Sequence, residues 1–199
     1  MAVGRPRGFD VDERLDRALE VFWRQGYEGT ALSDLTEAMG INRPSLYSAY
    51  GNKEELFRAV VLRYAEGPGG HLRAALLAPT ARAVVERLLR GTVEVVTARD
   101  HGGCLFVQAA LATGEQGGRP RDELASWRRS GELELRRRLQ RARDEGDLPG
   151  DLDAADLARH VMTTSHGLAV QATHGATRAE LDRVVELFLS GPPWAESPA

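Results

Sequence analysis

Arg43, Pro44, Ser45, Tyr47 and Ser48 fall within six consecutive positions, directly after Asn42. An arginine can fork two hydrogen bonds onto a guanine edge, the carbons of proline and tyrosine can meet a thymine methyl, and hydroxyls can reach a base or a phosphate. Such a set on one face of a short helix suits the major groove of DNA. Lys53 follows at a helix start, where the N-terminal dipole already favours a phosphate. It is the only lysine among 26 basic residues, and a compact ammonium there reads as a phosphate clamp more readily than as surface charge.

The elements that must position these residues are legible around them. Thr30 is a candidate cap for a helix whose apolar positions Leu32, Leu35, Ala38 and Met39 follow one buried face, and Gly40 ends it where a left-handed backbone is needed. Asn42 caps the next helix. Pro44 is tolerated there because first-turn amides have no partner inside the helix, and Leu46 and Ala49 turn back to the core. Asn52 with Glu55 makes a capping box for a further helix. A short helix, a glycine stop and a second short helix with polar residues in its first turn form a helix-turn-helix.

From Phe9 to Tyr64 the chain resembles the DNA-binding domain of the tetracycline-repressor (TetR) family of bacterial regulators. The likeness rests on Phe22-Trp23 before Gly26-Tyr27, then Thr30, Leu35, Gly40-Ile41, Leu46-Tyr47 and Asn52 through Phe57. Tyr50 stands where that family usually has Phe. The resemblance implies that Arg43, Pro44, Ser45 and Ser48 read bases and that Thr30, Tyr47 and Lys53 contact phosphate, with Ser33 able to do either. It further implies a larger helical body that binds a small effector, and a homodimer formed through the helices at 121–145 and 153–174. Dimerisation also has a physical motive, since one short recognition helix reads few bases while a two-fold pair reads half-sites about 34–36 Å apart.

Charge alone does not reveal the site. The formal net charge is -3, and basic residues in the first 65 positions are offset by acidic ones, so affinity must come from placement, with arginine on the groove side. Arg5 and Arg7 lie in a glycine- and proline-containing arm that could enter a narrow minor groove or remain a solvated terminus.

Beyond Tyr64 the pattern is helical, with breaks at 67–70, 79–80, 100–103, 117–120, 146–151 and 175–177. The expected architecture is all-α: a flexible basic arm at 1–8, a head of three helices at 9–66, a body of about six helices at 67–191, and a frayed tail at 192–199. The first helix should bury Val11, Leu15, Ala18, Leu19 and Phe22 from a box of Asp10 and Glu13, and the last, capped by Thr177 with Glu180, should bury Leu181, Val184, Val185 and Phe188. In the long arginine-rich segment, Leu124, Trp127, Gly131, Leu135, Leu139 and Ala142 form a narrow stripe; the arginines around it, Arg138 among them, read as a solvated face.

The segment from Cys104 to Ala112 is apolar apart from Gln108. With Trp127, Met162, His166 and Gln171 it forms a candidate ligand-binding set, each member of which could equally be a satisfied core residue. Cys104 follows two glycines at a helix start. It is either a low-pKa thiol able to sense oxidants or electrophiles, or an inert buried residue, and the second is expected.

No metal site is expected: the acidic run from Asp144 to Asp156 misses the EF-hand order, and the five histidines form no i, i+4 pair. No phosphate loop, nucleophile elbow, cofactor motif, signal peptide or membrane-spanning run is recognisable. The sequence therefore points to a cytoplasmic, non-enzymatic, DNA-binding regulator, by default a repressor on a palindromic operator released by a small molecule. The alternative is a helical small-molecule-binding or enzymatic protein whose head mediates protein contacts.

Overall fold

The computed structural model describes residues 11–98, 103–112 and 118–194, which form ten α-helices. Arg5, Arg7 and the Asp10 cap lie outside these residues. The head contains α1 (Val11–Gly29, broken at Gly26 with φ 71° and ψ 174°), α2 (Leu32–Met39), α3 (Arg43–Tyr50) and α4 (Lys53–Glu66). The range expected to hold three helices holds four. The body contains α5 (His71–Leu76), α6 (Ala81–Thr97), α7 (Leu105–Ala112), α8 (Gly118–Asp144), α9 (Ala154–Thr173) and α10 (Arg178–Ser190).

Local chemistry sets most helix ends. Asn42 accepts the Ser45 amide at 2.9 Å, Asn52 and Glu55 exchange bonds at 2.9 and 2.8 Å, and Gly40 takes φ 62°. Each satisfies a backbone group that the helix cannot pair internally. Thr30 does not cap α2. Ala31 occupies that position, its amide donating to Asp34 at 3.0 Å, while the Thr30 hydroxyl is buried and donates back to the Gly26 carbonyl at 2.6 Å. The break at Gly26 frees that carbonyl, so the threonine completes the end of α1 instead.

Two apolar cores form. One lies wholly in the body, where α6 packs against α9 and α10 around Leu88, Leu89, Val93, Val161 and Val185. The other is shared: Phe22, Trp23, Leu35, Leu46, Phe57 and Tyr64 of the head close over Leu105 of α7 and Leu124 of α8. Helix α1 runs between head and body, which is why Val21 and Trp23, off its expected stripe, are also buried. A boundary drawn at residue 66 therefore divides the connectivity but not the packing. Arg63 of α4 grips Asp16 of α1 with two bonds of 2.8 Å, which hold the Asp16 carboxyl below its ordinary pKa.

Three further expectations change. Val184 is 45% exposed, its place in the core taken by Leu189. Arg138 is buried, one guanidinium nitrogen donating to the Ala78 and Pro79 carbonyls at 2.8 and 3.0 Å and so closing the end of the α5 turn. The chain does not fray at Gly191, because Trp194 is buried beside Phe188 and its carbonyl accepts from Arg82.

Candidate nucleic-acid interface and body cavity

Helix α3 is held by the buried Leu46, with Ala49 and Tyr50 half-buried on the same side, and turns its opposite face outward. Arg43, Pro44, Tyr47 and Ser48 are exposed, Tyr47 by 49%; Ser45 is half-buried, its amide engaged by the exposed Asn42. Pro44 in the first turn removes no helical hydrogen bond, so a rigid, wedge-shaped side chain stands there without cost to the helix. Of the residues expected to read bases, Arg43, Pro44 and Ser48 are exposed and Ser45 is half-buried.

The flanking group divides. Ser33 is exposed on α2, its hydroxyl 3.4 Å from Asp34. The Thr30 hydroxyl is committed to Gly26 beneath the surface and does not join this face. Lys53 opens α4 with its ammonium 4.5 Å from the centre of the Tyr27 ring. Burial against that ring lowers the lysine's pKa, while Glu28 and Asp34 oppose the shift. Acidic groups consequently lie on the lysine's side of the head as well as on the far side, and the ring fixes the ammonium in place.

The body holds a cavity of about 120 Å³ lined mainly by α5, α7, α8 and α9, with Ala65 of α4 and Leu88 of α6 completing its wall. Cys104, Trp127, Met162 and His166 of the expected ligand set line it. Gln108 and Gln171 do not. Gln108 folds against the Gly103 turn, and Gln171 is exposed on the opposite side of α9, in a groove against α10. One side of the cavity carries a polar chain that the sequence did not reveal. His71 Nδ1 donates to the Pro68 carbonyl at 3.2 Å, Nε2 faces the Thr92 hydroxyl at 3.2 Å, and Thr92 lies 2.9 Å from the Ser165 hydroxyl. A carbonyl only accepts, so Nδ1 carries a proton, and burial lowers the His71 pKa toward the neutral ring. His166 is lowered likewise, first by burial and then by the charge of Arg128. His71, Thr92 and Ser165 come from three helices, and no spacing in the sequence unites them.

An aromatic series runs from this cavity into the head. Trp127 stacks on Phe106 at 6.1 Å between ring centres, Phe106 meets Tyr64 edge-on at 4.9 Å, and Tyr64 meets Trp23 edge-on at 4.8 Å. Such pairs add about 0.5–1.5 kcal/mol each beyond the area they bury. The Tyr64 hydroxyl donates to Cys104 Sγ at 3.3 Å. Burial pushes the Cys104 thiol pKa up despite nearby donors, which opposes the helix-start effect and favours the inert reading.

Among the described residues no helix is long and apolar enough to cross a membrane. Residues 15–60 match the model of the bacterial regulatory proteins of the tetR family, and residues 80–188 match that of the tetracyclin repressor-like C-terminal domain. The chain is 30% identical over 184 residues to the HTH-type transcriptional repressor ComR of Escherichia coli, covering 91% of this chain and 88% of that protein. It is 35% identical over 196 residues to the HTH-type transcriptional regulator YezE of Bacillus subtilis, covering 94% and 98%. Among solved structures, a cysteine-substituted form of the TetR family regulator CifR, bound to 26-bp double-strand operator DNA, is 44% identical with a TM-score of 0.88, covering 95% of this chain and all of that one.

Proposed function

The chain belongs to the tetR family of bacterial regulatory proteins, and on that premise we propose that it is a homodimeric, effector-released repressor that binds a two-fold operator through α3. The observation carrying this reading is the exposed set Arg43, Pro44, Tyr47 and Ser48 on a helix anchored by Leu46, a side-chain group the fold itself does not need. The operator complex of the 44%-identical CifR supports it. So does the kinship with ComR, a repressor. Arg43 and Pro44 read bases with Ser45 and Ser48; Tyr47 and Lys53 hold phosphates, with Ser33 beside them and the arm bearing Arg5 and Arg7 alongside. A protein acting on operator DNA works in the cytoplasm.

The exposed surfaces favour α9 and α10 for the two-fold contact, in place of the pair at 121–145 and 153–174. His160, Thr163, Gly167 and Gln171 of α9, with His174 at its C-terminal end, form an exposed stripe free of aspartate, glutamate, lysine and arginine, and Val184 and Leu187 of α10 are 45% and 75% exposed beside it. The outer surface of α8 is instead crowded with arginines. Helices pack through uncharged faces because burying a guanidinium without a partner is costly.

The effector occupies the body cavity and acts through the aromatic series. A ligand pressing on Trp127 and Phe106 moves Tyr64 of α4 and Trp23 of α1, and with them the spacing of the two α3 helices. A coupling of about 1–3 kcal/mol weakens operator affinity roughly 5–150-fold.

The test is a gel shift with the DNA upstream of the protein's own gene at two salt concentrations. Discrete, salt-sensitive retention by a dimer is expected. Failure to retain any duplex at low salt refutes the reading and favours a helical binding protein whose head meets other proteins.

A further inference from the structure

Arg128 of α8 lines the body cavity, and its Nε is buried with no hydrogen-bond partner among the described residues. Of the nearby carboxylates, Glu132, one turn on, pairs with Arg159 at 3.4 Å and Glu123 with Arg58 at 3.1 Å, while Glu134 lines the same cavity and accepts from Ser130 at 3.5 Å. Arg128 shares this cavity lining with Cys104 and His166. A partly buried cation without a counter-ion is costly to fold, and an anion arriving with a ligand relieves that cost.

The remaining walls describe the rest of such a ligand. Phe106, Trp127, Met162, Leu72 and Leu88 supply apolar and polarisable surface. The rim carries a second cation, the exposed Arg73, with its guanidinium 6.0 Å from the Trp127 ring centre. Burial holds His71 and His166 toward the neutral form, and both ring nitrogens of His71 are already engaged by Pro68 and Thr92, so the arginines supply the positive charge here. The volume of about 120 Å³ is of the order of the roughly 150 Å³ cavity that accepts a benzene ring.

We propose that this cavity binds a small organic carboxylate, its anionic end paired with the Arg128 guanidinium and its hydrocarbon end against Phe106, Trp127 and Met162. The guanidinium fork matches the two carboxylate oxygens, and such paired, charge-assisted bonds are stronger than neutral ones. A neutral ligand of equal shape leaves Arg128 without a counter-ion, so charge, not size alone, sets selectivity. The assignment rests on the effector role given to this cavity above and names the chemical class that fills it.

Calorimetric titration of the full-length chain tests it, with benzoate against benzamide and butyrate against butyramide, each to about 10 mM. Saturable binding of at least one acid is expected, at one per chain, with its amide weaker by about tenfold or more. Arg128→Met should lose that advantage, Arg128→Lys should restore part of it by returning the charge, and Gly131→Leu should abolish binding by crowding the space beside Leu72. Circular dichroism establishes that each variant is folded. Equal affinity for acid and amide, an unchanged acid affinity in Arg128→Met, or binding of neither acid by the wild-type chain would overturn the assignment. The gel shift of the unliganded wild-type protein reads operator binding separately, so a wrong ligand class and a wrong regulator reading give different results.

Discussion

The indole N–H of Trp23, in the first helix of the head, donates to the carbonyl of Gly103, at the entrance to α7 of the body, over 3.3 Å. Gly103 holds φ +85°, and a Cβ there would stand 2.3 Å from Gln108 Nε2 and 2.6 Å from Thr173 Cγ2. Only glycine fits, and its carbonyl is turned toward the head as a result. The bond lies at one end of the aromatic series that leads to Trp127, so body and head meet through a fixed backbone turn and a continuous apolar core.

That shared core makes a body residue control the stability of the head. Leu124 of α8 is fully buried against head residues, and Leu124→Ala should cost about 2–5 kcal/mol, the range for an emptied leucine site. Hydrogen exchange should show faster opening in α1 and α4 as well as in α8. Acceleration confined to α8 would mean that the head is stable without the body.

Base reading and phosphate clamping separate in the head by their response to salt. Arg43→Ala should cost about 1–3 kcal/mol on operator and relax discrimination at one symmetric position per half-site. Lys53→Ala should weaken operator and scrambled duplexes alike and lower the salt slope by about one for each phosphate left unneutralised, hence roughly two per dimer. Tyr27→Leu should share part of the Lys53 phenotype, because the ring seats the ammonium. A salt series on both duplexes checks all three; full sequence discrimination by Arg43→Ala would remove that residue from the base-reading set.

Cys104 should behave as a structural thiol. With its pKa raised by burial, alkylation by iodoacetamide near neutral pH should be slower than that of free cysteine and should accelerate only as pH climbs above the ordinary thiol range. Cys104→Ser should lose some stability and leave operator release unaffected by peroxide. Rapid alkylation, or a peroxide response that the serine variant abolishes, would instead establish a sensor.

The cavity histidines make stability depend on pH in a definite direction. His71 has a folded pKa below its ordinary value of 6.5, chiefly through burial, against the opposing effects of the Pro68 carbonyl and Glu94. Between the folded and unfolded values the unfolded chain binds more protons, so stability rises with pH across that window. The contribution is complete above about pH 6.5 and declines as pH falls below it. Thermal unfolding between neutral and mildly acidic pH should show this loss, and His71→Gln should flatten it; an unchanged slope would assign the effect to His166, which shifts the same way.

The sequence by itself determined the local parts. Asn42, Pro44, Asn52, Glu55 and Gly40 act on backbone groups within four positions of themselves, so their roles follow from spacing, and the outward face of α3 follows once Leu46 is the residue turned inward. The body helices and most of their breaks were legible for the same reason. Tertiary structure decided whatever depends on residues brought together from afar. It moved Thr30 from α2 to the end of α1, seated Lys53 on Tyr27, and buried Arg138 and Trp194 although their neighbours in sequence are polar or lie beside a chain end. It also sorted the ligand set, keeping Cys104, Trp127, Met162 and His166 at the cavity while turning Gln108 and Gln171 away, and it added Arg128 and the His71–Thr92–Ser165 chain. Helical periodicity tells which residues share a face; it does not tell which neighbour that face meets, and a cavity between several helices exists only after all of them have packed.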